Sequence, residues 1–229
     1  MNRFVPTLLA SILAVGLVAC SKQGPETAAA PAAGNNAAVS VGLSISTLNN
    51  PFFVALRDGA QAEASKDGIN LITVDAQDDP AKQIASVEDL IQKKVKVILI
   101  NPTDSDAVAN VVKQATAAGI AVVSLDRSVN GAEVASHIAS DNVAGGKLAA
   151  EFLLEKLGGK GNLVELEGVP GTSAARERGQ GFHSVVDGKD GVKLVARQPA
   201  DFDRAKGLSV TENILQGCLL YTSPSPRDS

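Results

Sequence analysis

A chain of 229 residues, 45% of them hydrophobic, is long enough to bury one or two cores. A formal net charge of -4 excludes a partner held chiefly through nucleic-acid phosphates. Aromatic residues make up only 3% and Trp is absent, so the position of each Phe carries information.

The first element is a targeting segment. Arg3 supplies a positive start and Val5–Ala19 a short apolar run, too short and wrongly flanked for a spanning helix. The run closes on "LVAC", which resembles a bacterial lipobox. Residues 1–19 are therefore expected to be a lipoprotein signal peptide, with Cys20 as the lipidation site. The alternative is ordinary secretion with a cysteine there by chance. Acyl chains on Cys20 would tether the protein to the outer face of a membrane without a span. Residues 20–38 are small, polar and Pro-containing and read as the flexible, lipid-anchored linker. With the C-terminal tail set aside, Cys20 is the only cysteine, so no intrachain disulfide is expected and stability must come from the core.

From Val39 strand-like and helix-like segments alternate. Val39–Ser46 is strand-like. Pro51–Lys66 is a helix with Phe53, Leu56, Ala60 and Ala64 on one face, capped by Asn50 and begun by Pro51. A strand over Asn70–Ala76 leads to a second helix with the same cap-plus-proline start at Asp79-Pro80. Val95–Asn101 is a near-continuous apolar run, as for a strand buried on both faces. A third helix is expected over Asp104–Ala118, then a buried strand over Ile120–Asp126 and a shorter one near Glu133–Ala139. Helix Asn142–Leu157, strand Asn162–Gly168, helix Ser173–Val186, strand Val192–Gln198 and helix Asp203–Gln216 complete the series. Alternation at this spacing implies an α/β fold of parallel sheets with helices on both faces. The change near Ser140–Asn142 divides it into a first lobe at 39–140 and a second, partial lobe at 141–217.

In open parallel sheets, ligands bind beyond the carboxyl ends of the strands. Of five Phe between Val39 and Gly217, Phe52, Phe53 and Phe202 sit at such exits. Around them fall Ser46, Asn50, Asp126, Arg127 and Arg178. Taken singly, Phe53 could be core, Phe52 a hydrophobic staple and Ser46 a turn residue. Together they suit a small polyol: carboxylate and amide acceptors, guanidinium donors, and aromatic plates for the apolar C–H faces of a sugar.

Enzyme motifs are weak. "GVPGTS" (Gly168–Ser173) lacks the spacing of either phosphate-binding glycine motif, and Thr172 or Ser173 reads as a helix cap. His137 and His183 have no Cys or Glu at metal-ligand spacing, so neither a metal nor a cofactor is expected, and each reads as structural or exposed. No Gly-x-Ser-x-Gly elbow occurs. The chain is expected not to be an enzyme.

The blocks "STLNNPFF", "INPTDSDAV", "SLDR", "SHIASDNVAGGK", "GTSAARERGQGF" and "QPADFDR" resemble the ribose-binding proteins of bacterial ABC importers. These are sugar-binding periplasmic proteins of the type I, two-lobe fold with a three-segment hinge. The resemblance runs from about Val39 to Gly217. It implies a monomeric, exported receptor that closes on one ribose-like sugar and delivers it to an ABC permease, and that in some systems also meets a chemoreceptor. The family's ligand positions fall on Ser46, Asn50, Phe52, Phe53, Asp126, Arg127, Arg178 and Phe202. The three Phe would sandwich the ring, Asp126 would accept hydroxyls, and Arg127 and Arg178 would donate. In the family the second lobe continues past Gly217 with further strands and helices, so this lobe is expected to be incomplete here.

The final segment follows neither pattern. Cys218–Asp228, "CLLYTSPSPRD", resembles the in-frame translation of a transposase adapter used in sequencing libraries. Residues 218–229 are therefore expected to be a non-native tail. Two other functions share elements of this reading. The sugar-sensing core of a LacI-type regulator would begin with a basic helix-turn-helix, where this chain begins with an export signal. An exported α/β enzyme acting on a sugar would need a catalytic pair that the sequence does not offer.

Overall fold

The computed structural model describes residues 39–222, with side chains to Gly217. The expected signal peptide, Cys20, the linker through 38 and residues 223–229 lie outside the described residues. No described helix is long and apolar enough to cross a membrane.

The first lobe comprises β1 (Ser40–Ile45), α1 (Pro51–Lys66), β2 (Asn70–Asp75), α2 (Pro80–Gln92), β3 (Val97–Ile100), α3 (Ala109–Ala117), β4 (Ala121–Leu125) and β5 (Ser136–Ile138). All its strand pairs are parallel, in the order β2-β1-β3-β4-β5. Strand alternation sorts the side chains between two layers. Leu43 and Ile45 of β1 meet Phe53, Leu56 and Ala60 of α1. Ile98 and Ile100 of β3 meet Val87 and Leu90 of α2 and Val111 and Val112 of α3 on the opposite face. Each such side chain contributes about 1.5–3 kcal/mol on leaving water.

Helix starts follow the expected chemistry. The Asn50 side chain accepts from the Phe52 N–H at 3.0 Å, and Asp79 accepts from the Ala81 and Lys82 N–H groups at 2.8 and 3.1 Å. Helix α3 is the exception. It was expected from Asp104 but begins at Ala109. The Asp104 carboxylate accepts from the Asp106 and Ala107 N–H groups, both at 2.8 Å, and the Ser105 N–H is donated to Gly171 of the second lobe. The Asp104 bonds repeat the pattern of the Asp79 cap; what differs is Ser105, whose N–H and carbonyl are both engaged outside the segment, by Gly171 and the Asn130 N–H, so residues 105–108 stay in a turn.

The second lobe comprises α4 (Asn142–Lys156), β6 (Gly161–Glu167), α5 (Ser173–Val186), β7 (Val192–Pro199) and α6 (Arg204–Thr222). Strands β6 and β7 pair in parallel, with an irregularity at Leu163/Val164. One face packs Leu163 against Ala150 and Leu154 of α4 and Val186 of α5. Val164 and Leu166, which point the other way, are exposed. Helix α6 was expected to end at Gln216 and runs on to Thr222, through Gly217, with no proline before Pro224. Helices α4 and α5 cross closely. A Cβ on Gly146 would lie 2.1 Å from the Arg178 carbonyl oxygen, and one on Gly181 would lie 2.0 Å from that of Val143. Only glycine permits this approach, which sets where α5 carries Arg178.

Helix α5 is tied to the sheet by charge. The His183 ring meets Asp187 at 2.9 Å through Nδ1 and Glu165 at 2.9 Å through Nε2. Arg197 of β7 adds pairs to Glu167 at 2.6 Å and Glu165 at 3.4 Å. The hydrogen bond to Asp187, aided by Glu165 and opposed by partial burial, raises the His183 pKa above its usual 6.5. A raised histidine stabilises fully below its unfolded pKa, and that contribution is lost as pH rises through the folded one.

Two outcomes are expected. In hydrogen exchange, the β6 and β7 amides should lose protection well before those of β1, β3 and β4, because a two-stranded sheet with one exposed face is the weaker unit. Equal protection in both sheets would contradict this. Second, second-lobe stability should fall as pH rises above the usual histidine value of 6.5, and His183→Gln should abolish that slope. An unchanged slope in the variant would remove His183 as its source.

Candidate functional site

The carboxyl ends of β1, β3 and β4 are joined by buried side chains. The Ser46 hydroxyl and N–H both donate to Asn101 Oδ1, at 2.6 and 3.2 Å. Asn101 Nδ2 donates to the Leu125 carbonyl at 3.1 Å. Gln83 of α2 donates to Ser44 Oγ at 3.1 Å and to the Asn101 carbonyl at 2.9 Å. Its own oxygen accepts from the Thr103 N–H at 2.8 Å and the Thr103 hydroxyl at 3.0 Å. Buried polar groups require such partners, and here they align three strand ends with α2.

Backbone strain gathers at the same edge. Among the described residues, six non-glycine residues have positive φ, and five of them, Gln77, Asp78, Asp126, Asp201 and Phe202, stand just after β2, β4 and β7. Left-handed conformations are costly for such residues and concentrate at ligand clamps.

These exits converge on a cavity of about 350 Å³ between the lobes. From the first lobe come Asn50, Phe52, Phe53 and Arg127, and from the second Phe202, all lining it. Phe52 and Phe53 meet edge to face, with centroids 5.4 Å apart. Phe53 is also core, packed on Leu43 and Ile45, whereas Phe52 is exposed. The Arg127 guanidinium lies 5.0 Å from the Phe53 centroid and 5.9 Å from that of Phe202, and Arg178 lies 5.6 Å from Phe202. Phe202 fits closely over Gly168, where a Cβ would be 2.0 Å from the ring. Behind Phe202 a second space of about 770 Å³ opens between α4, α5 and β6, and Arg178 faces it.

The charges are poised by burial. Arg127 is 2% exposed; Nη1 donates to the Pro102 carbonyl at 2.8 Å, while Nε has no hydrogen-bond partner. Asp126 Oδ2 is 3.9 Å from that Nε. Burial raises the Asp126 pKa, and Arg127, Arg178 and His137 oppose the rise. Arg178 Nε donates to Asn142 Oδ1 at 2.8 Å.

Seven of the eight expected site residues thus gather at or beside the interlobe cavity. Ser46 lies apart from them: it is fully buried and its hydroxyl donates to Asn101, while its neighbour Thr47 lines the cavity. Sequence reasoning missed Thr47, Asp78, Asp201, Asp203 and Arg204, which also line the cavity. The acidic cluster after β2 was a usable signal for Asp78. The lobes touch beside the cavity: the Ser173 N–H donates to Ser105 Oγ at 3.0 Å and the Ser128 N–H to Ser173 Oγ at 2.8 Å. One lobe crossing, between β5 and α4, falls among the described residues.

The periplasmic binding protein domain matches residues 41–219. The chain belongs to the periplasmic binding protein family. It is 53% identical over 201 residues to the ribose import binding protein RbsB of Bacillus subtilis (strain 168), covering 88% of this chain and 65% of that protein. It is 55% identical over 175 residues to the protein of the same name in Escherichia coli (strain K12), covering 76% and 59%. It therefore spans less than two thirds of the length of these relatives. Among solved structures it is similar to a Caulobacter myo-inositol binding protein bound to myo-inositol, with a TM-score of 0.76 and 34% identity, covering 81% of this chain and 63% of that one. A galactofuranose binding protein gives a TM-score of 0.75 at 32% identity, covering 78% and 62%.

Asn101→Ala should destabilise the first lobe by about 2–3 kcal/mol in denaturant unfolding, since it leaves the buried Ser46 hydroxyl and N–H and the Leu125 carbonyl short of a partner. Asn49→Ala, at the exposed rim, should stay within about 0.5 kcal/mol. Equal effects would deny the network its structural role.

Proposed function

We propose that this chain is the sugar-binding receptor of an ABC import system, taking ribose or a similar small monosaccharide between its lobes and delivering it to a membrane permease. The observation that carries this reading is the interlobe cavity, walled by Phe52, Phe53 and Phe202 and edged by Asn50 and Arg127, with Asp126 and Arg178 beside it. The aromatic faces suit the C–H surface of a sugar ring. The unpartnered Nε of Arg127 is a buried donor that a ligand hydroxyl would satisfy. Similarity to proteins described as ribose import binding proteins supports ribose over larger sugars.

In this reading the protein binds and releases its sugar without chemical change. It is exported, acylated at Cys20, held at the outer face of a membrane, and monomeric. Closure of the lobes on the sugar presents one composite surface to the permease, and to a chemoreceptor where one exists.

The test is calorimetric titration with ribose, allose and xylose. It uses the 229-residue chain and a fusion that continues it with the C-terminal part of the Bacillus subtilis relative. The fusion should bind ribose most tightly, and the shorter chain should bind more weakly or not at all. Arg178→Ala in the fusion should lose about 1.5–3 kcal/mol of affinity, the scale of a hydrogen bond to a charged group. A fusion that folds and binds none of the sugars would overturn the reading.

A further inference from the structure

Three carboxylates, Asp75, Asp78 and Asp79, lie at the end of β2 and in the turn after it, and two of them accept from backbone N–H groups. Asp75 accepts from the Gln77 N–H at 2.9 Å. Asp79 is occupied as the cap of α2, by the Ala81 and Lys82 N–H groups. Asp78 between them lines the interlobe cavity. Its backbone is held at φ 60°, a conformation unfavourable for a side-chain-bearing residue, by its own N–H donating to the Ser46 carbonyl at 2.8 Å. That bond fixes the β2 exit to the β1 exit, so the carboxyl is presented from a braced turn.

We propose that Asp78 is a further specificity-determining residue of the cleft, accepting a hydrogen bond from one hydroxyl of the bound sugar. The inference rests on the sugar-receptor reading above. In the sheet order β2-β1-β3-β4-β5, Asp78 and Asp126 leave strands on opposite sides of β1 and β3. A sugar lying over the Phe plates between them is met by a carboxylate from either side. Burial makes the ionised Asp78 costly and raises its pKa, and Asp75 and Asp203 add to the rise; Thr47 and the Arg127 guanidinium oppose it. A carboxylate on the cavity wall accepts a charge-assisted hydrogen bond from a ligand hydroxyl placed within reach. An analogue lacking that hydroxyl forfeits a hydrogen bond to a charged acceptor and binds more weakly than the parent sugar. The ligand class is a neutral polyol with one hydroxyl directed toward the β2 side.

The test uses the same fusion, its Asp78→Asn and Asp78→Ala variants, and the sugar that the unaltered fusion binds most tightly, with each monodeoxy analogue. The unaltered fusion should bind one analogue about tenfold or more weakly than the parent sugar through loss of this bond. Asp78→Ala should weaken the parent sugar by a similar factor and bind that analogue and the parent alike. Penalties for the other analogues should stay as in the unaltered fusion. Ligand-free melting separates a binding loss from a folding loss, and Asp78→Asn supplies the same comparison with the shape of the turn retained. Unchanged affinity in both variants, or a loss spread evenly over all analogues, would overturn the role of Asp78 while leaving the receptor reading intact. Failure of the unaltered fusion to bind any sugar would overturn the receptor reading and this inference with it.

Discussion

The buried side-chain amide of Asn101 is the interaction on which the cleft depends. It accepts twice from Ser46 at the end of β1 and donates to Leu125 at the end of β4, while its own backbone closes β3. Gln83 repeats the arrangement one layer out and brings α2 into register. Three strand ends are thereby set by hydrogen bonds that are buried at β1 and β3 and part-buried at β4. Apolar packing alone would hold the sheet but would leave the exits free to shift, since it is non-directional. Directional bonds at the rim convert a packed sheet into a fixed presentation of Thr47, Asn50 and Arg127.

Above that layer the protein tolerates features that would be faults elsewhere. Arg127 is buried with an unpartnered Nε, Asp126 and Asp78 are raised by burial, and four strand-exit residues of the cavity region have left-handed backbones. Each is unfavourable by itself. Together they leave polar capacity pointed at one small space between the lobes. A polyhydroxylated ligand is suited to satisfy it, because each hydroxyl both donates and accepts. The second lobe contributes Phe202, seated over Gly168, and Arg178, whose place follows from the glycine-to-backbone crossing of α4 and α5.

Much of this was legible in the chain. The two-layer alternation in Leu43, Ile45, Ile98 and Ile100, the Asn50 and Asp79 caps followed by proline, and the strand-exit placement of Phe52, Phe53 and Phe202 need only local chemistry. The start of α3 was misjudged because Asp104 and Ser105 are engaged by contacts that periodicity does not report, one of them with Gly171 in the other lobe. The place of Ser46 was illegible for a related reason. A serine at a strand end looks the same in sequence whether its hydroxyl faces a ligand or an asparagine 55 positions away.

What the sequence determined by itself is the order of strands and helices and the chemical character of the groups at the strand exits. These follow from periodicity, caps and residue type, which act over a few positions. Only the tertiary structure decided which of those groups reach the cleft. It turned Ser46 inward to Asn101 and brought Thr47 to the wall. It occupied Asp75 and Asp79 with backbone donors and left Asp78 facing the cavity. The physical reason is that a polar side chain's role depends on which partner is nearest once the chain has folded, and those partners are supplied by strands and lobes distant in sequence.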